Sequence, residues 1–162
     1  MPQGYDPDEL FQRVKDALEE MDQDFAVESD GRCLRMMVNE RNGYFPCLLV
    51  VWPDDPHIAV YTQLQCRVPE EKRLEMADFL NRANMSGWDG TFGMDADSGS
   101  VRYRTSLNLA DGVLTTHMLA ALLYGNANAI NSFLPALMSV IWNDVSPEDA
   151  IGFRQDADEE AA

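Results

Sequence analysis

"MDADSGSVRYRTSLNL", residues 94–109, is a stretch that two different folds could claim. Two aspartates two apart, followed by serine and glycine, suggest an oxygen-rich calcium loop, which belongs between two helices. A tight turn followed by alternating side chains belongs between two strands. An EF-hand loop needs oxygen ligands at its first, third and fifth positions, a glycine at the sixth and a bidentate glutamate at the twelfth. With Asp95 placed first, Asp97 fits the third position, but Gly99, Ser100 and Ser106 fall at the fifth, sixth and twelfth. Beyond the turn, Val101, Tyr103, Thr105, Leu107 and Leu109 alternate with Arg102, Arg104, Ser106 and Asn108. A period of two means a strand with one face buried and one face wet. The stretch therefore reads as a metal-free hairpin turn built on Asp97-Ser98-Gly99, and the fold as one that contains a half-covered sheet.

Upstream of that turn lies "GWDGTFG", residues 87–93. Its glycines match neither of the common phosphate-loop patterns and permit a tight helix-to-strand connection. A helix opens before it at Pro69-Glu70-Glu71, with Met76, Phe79, Leu80 and Ala83 along one side. Earlier still come strands. Phe25 and Val27 alternate with polar neighbours, Asp30-Gly31 turns the chain, and Leu34, Met36 and Val38 share a face. Asn42-Gly43 is a strong hairpin signal. "YFPCLLVVW", residues 44–52, is apolar at nearly every position, which predicts a central strand covered on both faces. Pro46 predicts incomplete pairing near its start. Another strand runs from His57 to Thr62. The chain opens with a helix capped by Asp6, with Pro7 in its first turn and a stripe of Leu10, Val14, Ala17, Leu18 and Met21.

Downstream, helical stripes run through Leu114, Met118, Leu119, Leu122 and Leu123, then Ile130, Phe133, Leu134, Leu137, Val140 and Ile141. Gly125-Asn126 allows a break or bend between them, and Pro135 must lie in a first turn or cause a kink. Ser146-Pro147-Glu148-Asp149 predicts a further short helix. The organisation is one domain over 1–153 and an acidic tail over 154–162.

Composition narrows the function. At 162 residues and 46% hydrophobic, the chain can build a real core. Its 12 basic and 28 acidic residues give a net charge of −16, which repels phosphate and argues against nucleic acid as a partner. Lys15 and Lys72 are its only lysines, so the acidity fits either an ordinary soluble protein or one from a high-salt cytoplasm. The start, "MPQGYD", does not read as a signal peptide, and no apolar run reaches the roughly 20 residues of a membrane helix. A cytoplasmic protein with no membrane partner is expected.

Chemistry is sparse. Cys33, Cys47 and Cys66 lie far apart without zinc-ligand spacing, and they read as free thiols acting as small hydrophobes. His57 and His117 are the only histidines; either could act as a base, but no nucleophile motif accompanies them, so surface or cap roles are expected. Trp52, Trp88, Trp142, Phe92 and the nine methionines are divided between core and possible exposed anchors.

Three segments, "VPEEKRLEMADFLNRAN", "GTFGMDADSGSVRYRTSLNL" and "FLPALMSVIWNDVSPEDAI", resemble the YbjN domain family, also described as regulators of bacterial sensory transduction. The resemblance runs from about Leu10 to Ile151. It implies an α+β fold like that of type III secretion chaperones: an antiparallel sheet with helices packed on one face, in the order α-βββ-α-ββ-α(α). The residue pattern gives the same order, with an added strand at residues 25–28 and a divided C-terminal helical region.

The family carries no catalytic motif to transfer. The expectation is a non-enzymatic protein-interaction module, chaperone-like or regulatory, binding a protein or extended peptide client without a cofactor or metal. The alternative is a small-molecule or ion-sensing regulatory domain. A homodimer is expected, from the resemblance and from the need to cover sheet edges. The candidate interface residues are Phe79, Trp88 and Phe92.

Overall fold

The computed structural model describes residues 5–86, 89–110 and 112–152. Helix α1 spans Pro7–Glu20, and strands β1 to β4 span Ala26–Val27, Cys33–Glu40, Gly43–Val51 and His57–Arg67. A single 3-10 turn, Glu70–Lys72, leads into α2, Arg73–Asn84. Strands β5 and β6, Thr91–Met94 and Ser100–Asn108, precede the long helix α3, Thr116–Trp142. Residues 147–152 are again helical. The six strands form one antiparallel sheet in the order β1-β2-β3-β4-β6-β5. The β4–β6 pairing joins the β1–β4 meander to the β5–β6 hairpin, and α2 and β5 lie in the excursion between β4 and β6.

Local chemistry explains the helix ends. The Asp6 carboxylate accepts the N–H groups of Asp8 at 2.9 Å and Glu9 at 3.3 Å, which satisfies two of the orphan donors of α1. Thr115 caps α3 through the Met118 N–H. Ser146 Oγ accepts the Asp149 N–H at 3.1 Å, which starts the last helical turns.

The disputed stretch is a hairpin turn. Asp95 N–H donates to the Ser100 carbonyl at 2.9 Å, and Gly99 N–H donates to the Asp95 carbonyl at 2.8 Å. The Asp95 carboxylate accepts the Ser98 N–H at 2.7 Å, so it braces the turn itself. Hydrogen bonding from Ser98 holds that carboxyl below its ordinary range. Gly99 takes φ +70°, and a Cβ there would overlap the Val68 carbonyl oxygen.

The predicted division of the last helical region at Gly125-Asn126 is not found: α3 is continuous for 27 residues. The Asn126 side chain points into the sheet instead of ending the helix. Its amide donates to the Val60 carbonyl at 3.0 Å and to Thr105 Oγ1 at 3.1 Å. Pro135 sits inside α3, where it supplies no N–H to the carbonyl of Asn131 four residues earlier. That carbonyl accepts Asn42 Nδ2 at 2.9 Å, and Asn131 Oδ1 accepts the Asn42 N–H at 2.8 Å. The β2–β3 turn thus docks against the group that the proline leaves free.

The core lies between one face of the sheet and the helices. Leu34, Met36 and Val38 of β2, Cys47, Leu49 and Val51 of β3, and Ile58 and Val60 of β4 pack with α1 and the first half of α3. Phe79 and Leu80 of α2, Phe92 of β5 and Val101 and Tyr103 of β6 pack with Phe133 and the second half of α3. The Phe133 ring stands edge-on to Phe79 at 6.5 Å and to Phe92 at 5.1 Å, a favourable aromatic geometry.

The expected double coverage of β3 is also not found. Phe45, Cys47, Leu49 and Val51 are buried, while Pro46, Leu48 and Val50 are only half-buried and Tyr44 is exposed. All the described helices pack on one side, so the second apolar set of this strand has no helix above it.

Candidate functional site

The uncovered face is ordered by the strand register. Arg35, Leu48, Tyr61, Arg104 and Thr91 stand in one row across five strands. In the next row Met37 pairs with Pro46, and Gln63 pairs with Arg102, which pairs with Gly93. Between Pro46 and Gln63 the row is broken: the β3–β4 ladder begins only at Cys47–Thr62. Proline has no N–H to give to a ladder, so strands part where it stands. The register of β4 against β6 also shifts between Gln63 and Arg67. Gln63 Nε2 reaches Ser100 Oγ at 2.8 Å, and Gln65 Nε2 reaches the Tyr44 carbonyl at 3.4 Å.

This parting opens a groove of about 780 Å³ on the helix-free face. Pro46, Leu48 and Leu64 give it an apolar floor, Glu28 and Asp30 lie at its β1–β2 end, and Arg102 lies at the other. A smaller hollow of about 260 Å³, lined by Asp89, Gly93, Arg102 and Arg104, continues past Arg102. The guanidinium of Arg102 lies 5.5 Å from the centre of the Tyr61 ring and that of Arg104 5.9 Å from it. Arg104 is also 6.0 Å from the Trp52 ring, and its Nη2 is 3.4 Å from His57 Nε2. Among the described residues, no carboxylate lies within ion-pair distance of either arginine, whereas Arg35 is paired with Glu28.

The groove also holds Cys33. Burial, together with its hydrogen bond to Asp30, pushes that thiol up to about 11. The same hydrogen bond is the main cause that holds the Asp30 carboxyl low. Burial raises the thiols of Cys47 and Cys66 as well. All three cysteines are free, and at neutral pH they are thiols rather than nucleophilic thiolates.

The residues singled out from sequence fall as follows. Phe79 and Phe92 are buried within the chain, where they pack around Phe133, so neither ring is presented to a partner. Trp88 lies outside the described residues. The Phe92 main chain is capped as well: its N–H donates to Asn84 Oδ1 at 2.7 Å and its carbonyl accepts Asn84 Nδ2 at 3.1 Å. The amide of α2 thereby occupies the place that a further strand would take beside β5. His57 begins β4 and His117 lies in the first turn of α3.

Pattern reading missed Pro46, Leu48, Tyr61, Arg102 and Arg104 as a group. Two signals could have found them: apolar residues on both parities of β3, and two arginines on the wet parity of β6. Among the described residues, no three histidine, cysteine or carboxylate side chains are grouped to hold a metal ion, and no helix is long and apolar enough to cross a membrane.

Comparison with known proteins gives the fold its relatives. No curated protein sequence matches the chain. The crystal structure of YbjN from E. coli superposes with a TM-score of 0.57 at 17% identity, covering 80% of this chain and 87% of that one. The HopA1–SchA chaperone–effector complex contains a chain that superposes at 0.54 and 17% identity, covering 78% and 95%. The ExsC–ExsE complex contains one at 0.53 and 18% identity, covering 74% and 89%. At these identities the likeness establishes the fold, the one that the helix-on-one-face sheet had indicated. The profile of the YbjN family, "Putative bacterial sensory transduction regulator", matches residues 11–138, and with most of its length inside that match the chain belongs to the YbjN family.

Proposed function

We propose that this protein is a non-enzymatic, cytoplasmic protein-interaction module, chaperone-like or regulatory, which holds an extended segment of a protein client against the uncovered face of its sheet. The observation that carries this reading is the second apolar set of β3. Pro46, Leu48 and Val50 are neither covered by a helix nor replaced by polar residues. A half-wet antiparallel sheet ordinarily alternates apolar inside with polar outside, so apolar residues kept on the wet side have a use in contact. The likeness to a chaperone–effector complex supports a protein as the contacting partner.

The test is a photoreactive amino acid at position 48, compared with one at the exposed Val113 between β6 and α3, in cells of the native host. Cross-links from position 48 to one recurrent segment of another protein are expected. Cross-links to such a segment from position 113 alone would refute the placement.

The reading includes a homodimer. Phe79 and Phe92 are consumed by the core, so the dimer contact falls to the exposed apolar residues beside them: Leu74, 88% exposed, and Met85, 80% exposed. Light scattering should give about twice 18.2 kDa. A mass at the monomer value would remove the dimer and leave the client groove standing.

A further inference from the structure

We infer that the segment received by the uncovered face is acidic, and that its carboxylates seat against Arg102 and Arg104 while its apolar side chains lie over Pro46 and Leu48. This rests on the reading that an extended segment docks on that face, and it adds the chemistry of the segment.

Among the described residues, Arg13, Arg32, Arg35, Lys72 and Arg82 each have a carboxylate within ion-pair distance, and Lys15, Arg41, Arg67, Arg73, Arg102 and Arg104 do not. Arg102 and Arg104 are set apart from the other four by standing two residues apart on β6, against one ring of the uncovered face, with Asp89 lining the hollow beside them. Both lie against the Tyr61 ring, a contact that orients a guanidinium without using its N–H groups, and of those groups the Nη2 of Arg104 meets His57 Nε2 at 3.4 Å. The Nε of Arg104 is buried with no partner. Two oriented forks matched to carboxylate geometry are the ordinary means of holding acidic side chains.

Space allows the contact. Gly93 stands opposite Arg102 in the register, and a Cβ there would meet no atom within 4 Å. The other end of the groove carries Glu28 and Asp30, so the site has a direction, with the acidic end of the segment over β6 and a neutral or basic end towards β1. The net charge of −16 does not forbid this, because at physiological salt charges more than about 8 Å away are largely screened. It does disfavour a long polyanion. A nucleic acid would extend past the arginines into the acidic surroundings, and Tyr61 already has two guanidinium groups against its ring.

Fluorescence anisotropy of the full chain with labelled peptides of about eight residues, enough to cross the face, provides the test. The peptides alternate valine with glutamate, glutamine or lysine, and a single-stranded oligonucleotide is run beside them. The glutamate peptide should bind at least 10-fold more tightly than the other two. The double variant Arg102→Gln/Arg104→Gln should erase that preference, and Arg13→Gln on α1 should leave it intact. If the double variant melts early, Arg102→Gln alone, at an exposed site, should still cost the glutamate peptide several-fold.

Equal binding of the glutamate and glutamine peptides, lost in Leu48→Asp, would overturn the acidic preference and keep the docking groove. No binding of any peptide at millimolar concentration would overturn both. Tighter binding of the oligonucleotide would overturn the inference in favour of nucleic acid. The chain's own tail is the remaining occupant. Neutralising Asp156, Asp158, Glu159 and Glu160 to their amides in the full chain should leave affinity unchanged. A tenfold gain would show that the tail fills the site and would overturn an external partner.

Discussion

The two faces of this sheet use the same kinds of residue for opposite ends. On the covered face, Phe79, Phe92 and Phe133 meet at ring distances and are shut away from water. On the uncovered face, Tyr61 and Trp52 lie against arginines and remain partly open. Aromatic content by itself does not mark an interface. What marks one is an apolar or aromatic residue on the strand parity that the helices do not reach. The covered face is built for stability, and the open face keeps apolar and cationic groups that the fold does not use.

The largest expected effect tests that division directly. Phe133→Ala removes a fully buried ring and should cost about 3–5 kcal/mol in urea denaturation, whereas Leu48→Ala should cost less than about 1 kcal/mol. A comparable loss at Leu48 would mean that the open face is covered in solution.

The next effect concerns the β5–β6 turn that closes the covered side beside α2. Gly99→Ala places a Cβ in the left-handed region and against the Val68 carbonyl, with an expected cost of about 2 kcal/mol or more. Gly31→Ala is the control. It pays a similar backbone penalty at φ +69° but meets no atom within 4 Å, so the difference between the two variants reports the overlap alone.

A smaller effect sharpens the contrast through the cysteines. Cys33 lies in the open groove, yet with its thiol pushed up to about 11 it should hold on the order of one thiolate in a thousand at pH 8. Ellman's reagent should therefore react with it far more slowly than with a free thiol, and Asp30→Asn should speed the reaction. Rapid labelling of native Cys33 would show that this end of the groove is more polar than its packing indicates.

The smallest effect is acidic. Hydrogen bonds lower the folded-state carboxyl of Asp95 below its unfolded value of 3.8. The turn's contribution is thus complete above that value and is lost as pH falls through the lowered one. Asp95→Asn should melt with a shallower dependence on pH below about 4 than the native chain. Identical acid profiles would show that the brace adds nothing.

Much of the fold could be read without coordinates, because its signals are local. The Asp6 cap, the Asn42-Gly43 hairpin and the alternation from Val101 to Leu109 each depend on neighbours a few residues away, and each element is present. The turn at Asp95 could be read for the same reason, since a calcium loop must carry its ligands at fixed spacings and this one does not. The α+β order followed from those elements, and the family from motifs spread along them.

Tertiary structure decided the rest. Pro135 and Gly125 look like breaks until Asn42 and the sheet supply partners to the groups near them, and those partners come from distant strands. Phe79 and Phe92 look like anchors beside a polar loop until Phe133, dozens of residues later, closes over both. The apolar run of β3 looks like a strand covered twice until every described helix is found on one side. Pro46, Leu48, Tyr61, Arg102 and Arg104 come from three strands, and only the register brings them into one site. A sequence states which faces an element has, but which face meets a helix depends on how the whole chain is packed.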